Sequence, residues 1–474
     1  MFDHLRRLAG QSAVYGLGRL VAPILAVVLL PLYTQYLGPG AYGRVETVVA
    51  ASAVLTIVLR AGVSTAFFRF YFDASDDEGR LRIVRTSFWF TMASATLGLV
   101  VVELAAAPIS SLLGGVGVTL VRAAGVGLWA QMNYEQLTAL FRVEQRPRAY
   151  VAASVANVLI TVGATAALVV VVHWGAVGVV VGNFAGTLTV YVALVLYRHE
   201  QLGFEFDRSL LRTMQGFGLP LVPAALSLWA INFIDRLFLI HISGKAETGL
   251  YSLGVRIASG VLFLMVAFQT AWPAFAYSIK DDDEARRAYA FVLTYVLFVT
   301  CWASATLGLL SPWIVRLVAS SRVFYPASQV VAPIAFSIAA YAAYAVVAIG
   351  VGRARKTQLN WVVTGAAAAL NIALNAVLIP RYGMMGAAVA TAVAYVAMFV
   401  GMTWQAQTVF PVRYQWRRVV TVVGVSVGLT TVGKLTHADL GLAIALSLAF
   451  PFALGPTGFY LPGERRRLRR LLPG

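Results

Sequence analysis

The sequence predicts an all-α polytopic membrane protein of about fourteen transmembrane helices. Three observations carry that prediction. Of the 474 residues, 59% are hydrophobic and only 12% charged, with a mean hydropathy of +0.78; an ordinary soluble domain carries about 25% charged residues. Apolar runs recur along the whole chain, each long enough at ~1.5 Å per residue to cross a hydrocarbon core of ~30 Å. The basic residues between the runs are dense in every second loop and sparse in the others, as the positive-inside rule requires of a multi-pass chain.

The runs follow in order. The first, 13–36, comes after the basic segment MFDHLRRLAGQ; it is too long for a cleaved signal peptide and reads as a retained helix. The next are 42–65, 84–107, 117–140, 150–172 and 175–197, the last two parted only by His173-Trp174-Gly175. Then come 218–241, 247–272, 288–310, 328–351, 358–379 and 384–407, with Pro380-Arg381-Tyr382-Gly383 as the punctuation between the last pair. The runs 417–436 and 440–461 close the series, and the stretches Val419–Thr431 and Leu440–Leu461 hold no ionisable residue, so they can face lipid all round.

Loop charge sets the orientation. One set of loops carries 26 Lys/Arg and the other carries 6 (Arg44, Lys245, Arg316, Arg322, Arg381, Lys434). That asymmetry places both termini in the cytoplasm, hence an even number of spans. The net charge of +17 is accounted for by these short loops rather than by a basic domain, so nucleic acid is not an expected partner. Cys301 is the only cysteine and the five histidines are scattered, so no disulfide, metal site or cofactor is expected.

Two sets of motifs recur about 206–208 positions apart. Gly38-Pro39-Gly40-Ala41-Tyr42-Gly43 opens one run and Gly244-Lys245-Ala246-Glu247-Thr248-Gly249 another; Trp174-Gly175-Ala176-Val177-Gly178 is echoed by Tyr382-Gly383-Met384-Met385-Gly386. The expected organisation is an N-terminal six-helix lobe (1–212), a second six-helix lobe (213–412), and two further helices with a basic tail (413–474). Six is even, so the lobes share one orientation, and a substrate site is expected where such repeats meet.

Four arginines lie inside the apolar runs: Arg19, Arg60, Arg236 and Arg256. A cation at membrane depth costs from about 3 to above 10 kcal/mol and therefore faces a protein interior or a wet cavity. Arg19 shares a helix face with Gln11 and Tyr15, and Arg256 with Ser252 and Ser259; both are deep. Arg60 falls on one stripe with Glu46 and Ala53, and Arg236 aligns with Trp229 and Asn232. These last two arginines lie within two turns of a membrane face, where snorkelling explains them equally well. A structural pair between Asp235 and Arg236 is a further reading. Glu46 and Asp235 are the carboxylates best placed for a proton or cation cycle. Trp129, Trp229, Tyr134, Tyr341 and Tyr344 are candidates for stacking on sugar rings, with core packing or an interfacial belt the plainer alternative. Asn371 and Asn375 could line the second lobe or bond between helices. Arg122 and Glu103 belong to the interface.

Four segments give the chain a family likeness: LPLYTQYLGPGAYG (Leu30–Gly43), FFRFYFD (Phe67–Asp73), NFIDRLFL (Asn232–Leu239) and GLYSLGVRIAS (Gly249–Ser259). It resembles the polysaccharide biosynthesis and O-antigen flippase family of the multidrug/oligosaccharidyl-lipid/polysaccharide (MOP) exporter superfamily, whose pattern is two six-helix lobes plus an extra pair. The resemblance implies ATP-independent movement of a polyprenyl-pyrophosphate-linked oligosaccharide from the cytoplasmic to the periplasmic leaflet, with polysaccharide-assembly membrane proteins as possible partners. It also implies a pyrophosphate-binding role for Arg19, Arg60 and Arg256, which sit on the corresponding first, second and eighth helices.

The competing readings are a multidrug or cation-coupled exporter of the same superfamily, and a membrane glycosyltransferase or polymerase. The first calls for an acid-dominated cavity, whereas the deep charges here are mostly basic. The second calls for a large extracytoplasmic loop or a carboxylate pair near the interface, and neither is present. The acidic run Asp281-Asp282-Asp283-Glu284 reads as a solvated loop, and no GxxxxGK phosphate loop supports ATP hydrolysis. A transporter rather than an enzyme is the expectation.

Overall fold

The computed structural model describes residues 29–354, 356 and 359–462. Every described secondary element is helical. Arg19, with Gln11 and Tyr15, lies outside the described residues, as does the basic tail from 463 onward.

The helices are α1 (Leu30–Tyr36), α2 (Pro39–Arg60), α3 (Val63–Asp73), α4 (Asp77–Leu104), α5 (Ala106–Leu112), α6 (Val118–Val143), α7 (Pro147–Ala166), α8 (Gly175–Arg198), α9 (Arg208–Gly218), α10 (Val222–Ile242), α11 (Lys245–Ala258), α12 (Gly260–Ser278), α13 (Asp282–Val318), α14 (Ser328–Arg353), α15 (Asn360–Val409), α16 (Trp416–Leu435) and α17 (Leu440–Ala453). The expected runs from 42–65 onward all fall on these helices, with 42–65 divided between α2 and α3 and 247–272 between α11 and α12. Ten described helical stretches are long and apolar enough to cross a membrane, and α15 is a single one of those ten although it covers two expected runs. The chain is an all-α, multi-pass membrane protein. Large apolar side chains such as Leu104, Leu317 and Phe452 are almost fully exposed, a surface that only lipid can cover.

Local chemistry sets the helix ends. Proline opens α2 and α7, where its missing N–H costs nothing. Asp76, Asp207 and Asp439 cap α4, α9 and α17 by accepting backbone N–H groups. Gly62, at φ 73°, takes the left-handed turn that separates α2 from α3. Gly383, at φ 54° and ψ −134°, bends α15 where the sequence places a turn; Glu247 accepts the Met384 N–H at 2.6 Å beside it.

The chain forms two compact units. The first comprises Met1–Ser252, Ala319–Phe324 and Ile372–Ala387; its core gathers Phe67, Phe88, Leu137, Leu140, Tyr191 and Met214. The second comprises Leu253–Val318, Tyr325–Asn371 and Ala388–Gly474, around Trp272, Tyr289, Val346, Met402, Phe410 and Phe450.

Candidate functional site

The first unit buries an ionic cluster where α2, α10 and α11 meet. Asp235 Oδ1 accepts the Arg236 backbone N–H at 2.8 Å and its Nη1 at 3.1 Å, and the Tyr251 hydroxyl donates to the other carboxylate oxygen. Arg236 Nη1 also donates to the Asn232 carbonyl at 2.8 Å, and its Nε lies 4.0 Å from a Glu46 oxygen. The guanidinium sits 5.1 Å from the Phe233 ring centre. Asp235, Arg236, Glu46 and Tyr251 are all buried. Charges out of water persist when paired and hydrogen-bonded, and Asp235 and Arg236 are both, although the Arg236 Nε makes no hydrogen bond among the described residues. The expected structural pair between Asp235 and Arg236 is thus present. The expected common face of Trp229, Asn232 and Arg236 is divided. Trp229 donates its indole N–H to the Ala50 carbonyl of α2 at 2.9 Å, the Asn232 side chain is exposed and donates to the Leu228 carbonyl, and Arg236 is buried.

Arg60 belongs to a different station. It ends α2, fourteen residues beyond Glu46, or about 21 Å at helical rise. Its Nη2 donates to Glu135 Oε2 of α6 at 2.5 Å, with the two side chains 20% and 40% exposed. Its Nε is buried without a hydrogen-bond partner among the described residues. Glu135 also accepts from the Gln131 amide one turn earlier. From there polar side chains run on through the unit. Thr187 of α8 donates to Gln131 Oε1 at 3.4 Å, and Asn157 of α7 donates to Thr187 at 3.4 Å. Thr161 donates to Asn157 Oδ1 at 3.2 Å, and Tyr33 of α1 donates to Asn183 Oδ1 at 3.0 Å.

Arg60, Asn157 and Asn183 are partly exposed although they sit on helices long and apolar enough to cross a membrane, and Gln131 and Glu135 are partly exposed on the 26-residue α6. Accessible polar groups at such positions face water or a polar cargo rather than lipid. Glu135, Gln131, Asn157 and Asn183 were not among the candidates read from sequence. The run Gln131-Met132-Asn133-Tyr134-Glu135-Gln136, five polar or amphipathic residues inside an apolar stretch, could have pointed to them.

Arg256 lies in the second unit, half-buried, with the Ser259 hydroxyl donating to its carbonyl at 2.6 Å. Asn371 and Asn375 are fully buried. Trp129 donates to Thr96 at 3.0 Å, and Tyr341 stacks on Tyr344 with ring centres 6.0 Å apart. Arg122 pairs with Glu103 at 3.5 Å, with side chains 58% and 36% exposed.

A family described as "Polysaccharide biosynthesis protein" matches residues 34–323, more than half of the chain and all of the polar station just described except Tyr33. The chain belongs to that family. No curated protein matches it in sequence. Among solved structures, one described as lipid II flippase MurJ in an inward closed conformation aligns at TM-score 0.72 and 12% identity, over 93% of this chain and 98% of that one. A multidrug resistance MATE family transporter of the MOP superfamily, inward-facing, aligns at TM-score 0.70 and 14% identity, over 86% and 98%. A MOP superfamily transporter from Pyrococcus furiosus aligns at TM-score 0.59 and 12% identity, over 87% and 95%. At these identities the likenesses establish the fold alone, the one this chain shares with those transporters.

Proposed function

We propose that this member of the family is a flippase that carries a polyprenyl-pyrophosphate-linked oligosaccharide from the cytoplasmic to the periplasmic leaflet of a bacterial inner membrane. Two lobes, 1–212 and 213–412, would alternate access around the cargo. The observation that carries the reading is the station around Arg60. A partly exposed guanidinium is continuous there with a face of amides and hydroxyls. Charge-assisted hydrogen bonds from arginine suit a phosphate. Asn and Gln amides offer both donors and acceptors, the complement of sugar hydroxyls. A cavity built for lipophilic cations would not need either.

Arg256 supplies the second-unit cation and Arg19 the cation of the first helix. In this reading the cluster of Glu46, Asp235 and Arg236 holds α2, α10 and α11 together. Any coupling to ions would run through Glu46 or Asp235, or through Glu135, which is the more accessible carboxylate.

The test is complementation of a strain lacking its own flippase, with membrane levels of each variant measured. Arg60→Ala, and Arg19→Ala with Arg256→Ala, should abolish surface glycan while the protein stays at wild-type level. Intact export in well-expressed variants sinks the cation model. Co-purification of a lipophilic cation in place of a lipid-linked sugar from lipid extracts sinks the choice of cargo.

A further inference from the structure

A separate basic pocket lies in the second unit. Its volume is about 640 Å³, and its lining includes Asp283, Arg286, Arg287, Gln407, Val412 and Arg413. Three arginines against one carboxylate leave a surplus of positive charge. The floor is rigid. Gln407 holds the loop after α15 by donating to the Val412 carbonyl at 2.6 Å and accepting the Val412 N–H at 3.0 Å. Arg286 is fixed by Asp283 at 2.7 Å and by the Phe410 ring, whose centre lies 5.0 Å from its guanidinium. Arg287 and Arg413 are exposed and pair with no carboxylate among the described residues.

Depth identifies the ligand. The apolar run of α13 begins at 288, so Arg286 and Arg287 stand where the helix leaves the hydrocarbon. Trp416, exposed and 5.6 Å from the Tyr414 ring, marks the same level, since exposed tryptophan concentrates at the headgroup boundary. The anion abundant at that depth is a lipid phosphate.

We propose that this pocket binds the phosphate of an anionic phospholipid headgroup. The site is distinct from the polar station of the first unit and stands whether or not the cargo is a lipid-linked sugar.

Full-length protein in neutral detergent, mixed with short-chain phosphatidylglycerol, phosphatidylcholine or inorganic phosphate, can be read by native mass spectrometry. Phosphatidylglycerol should be retained over phosphatidylcholine. Arg287→Gln with Arg413→Gln should weaken that retention on the order of tenfold. Both side chains are exposed, so no buried group is stranded, and the Arg287→Lys with Arg413→Lys pair should restore most of the binding. Removing two exposed arginines elsewhere, by Arg208→Gln with Arg212→Gln on α9, should leave retention unchanged. Equal retention of the two lipids, or an unaffected Arg287/Arg413 variant, overturns the site. So does an equal loss from the α9 variant, which would make the effect one of net charge alone. Displacement of phosphatidylglycerol by an equal concentration of inorganic phosphate overturns the assignment to lipid.

Discussion

At the scale of single residues, the ion pairs of this protein divide by burial. Arg198 and Glu144 form a two-pronged pair at 2.6 and 2.8 Å, with side chains 2% and 17% exposed and the Phe141 ring against the guanidinium. Removing one partner leaves an uncompensated buried charge. Glu144→Ala should therefore cost about 3–5 kcal/mol of stability, read by unfolding in detergent. Arg122 and Glu103 are largely exposed, and Arg122→Ala should cost no more than about 1 kcal/mol. Equal effects would show that burial is not what ranks these pairs. Sequence reading treated Arg198 as a loop cation because its partner lies 54 positions away, and no local pattern reports such a contact. Glu135 was missed for a like reason. Glu135, the carboxylate that answers Arg60, lies 75 positions away in a polar stretch of an apolar run, and local sequence does not link the two. Asp235 and Arg236 were legible because they are adjacent in sequence, but their full burial was not, since burial depends on α2 and α11 as well.

At the scale of elements, the transmembrane runs were legible because hydropathy is a local property, and the ends were not. The run expected over 288–310 is a helix over Asp282–Val318. Acidic residues fill its first turn and Arg286 reaches back to Asp283, both of which favour extending the helix into water. The short helices α3 and α9 were folded into loops and run ends, because neither is long enough to register as a span. The repeated glycine motifs turn out to meet. A Cβ on Gly43 would run into the Lys245 carbonyl oxygen, and one on Gly249 into the Pro39 carbonyl oxygen, so the starts of α2 and α11 cross backbone to backbone. Gly62 and Gly218 approach each other in the same reciprocal way. Close crossings of this kind are what small residues permit between membrane helices. Gly43→Ala or Gly249→Ala should lower the unfolding temperature and the yield of folded protein. Gly163→Ala on α7 and Gly424→Ala on α16 meet open space, and each should stabilise by up to about 1 kcal/mol through the helix propensity of alanine. Destabilisation by the latter pair, measured in the same assay, would remove the distinction between crossing and lipid-facing glycines.

At the scale of the whole molecule, composition selects one environment, and loop charge argues for the orientation proposed for it. A chain that is 59% hydrophobic has no aqueous folded state large enough to hide its apolar surface, and the exposed leucines and phenylalanines of the helices agree. The surplus of 17 positive charges is then topological information, because loops rich in Lys and Arg stay on the cytoplasmic side. The helices connect the loop at 76–80 to the segment Arg322–Ala327 through seven crossings, made by α4, α6, α7, α8, α10, the run of α11 with α12, and α13. An odd number of crossings would put the two on opposite faces, and the positive-inside rule, applied to the basic residues around 80–85, leads us to propose that the first faces the cytoplasm. Cys301 is buried, so the native protein offers a quiet background for a thiol probe. Glu78 and Val323 are both exposed and outside the apolar runs. Val323→Cys should react with a membrane-impermeant maleimide in intact cells. Glu78→Cys should react only after the membrane is permeabilised. The reverse pattern would invert the molecule. It would put the basic loops, the 283–413 pocket and the Arg60 end of the polar station on the outer face, and the proposed loading of cargo from the cytoplasmic leaflet would fail with it.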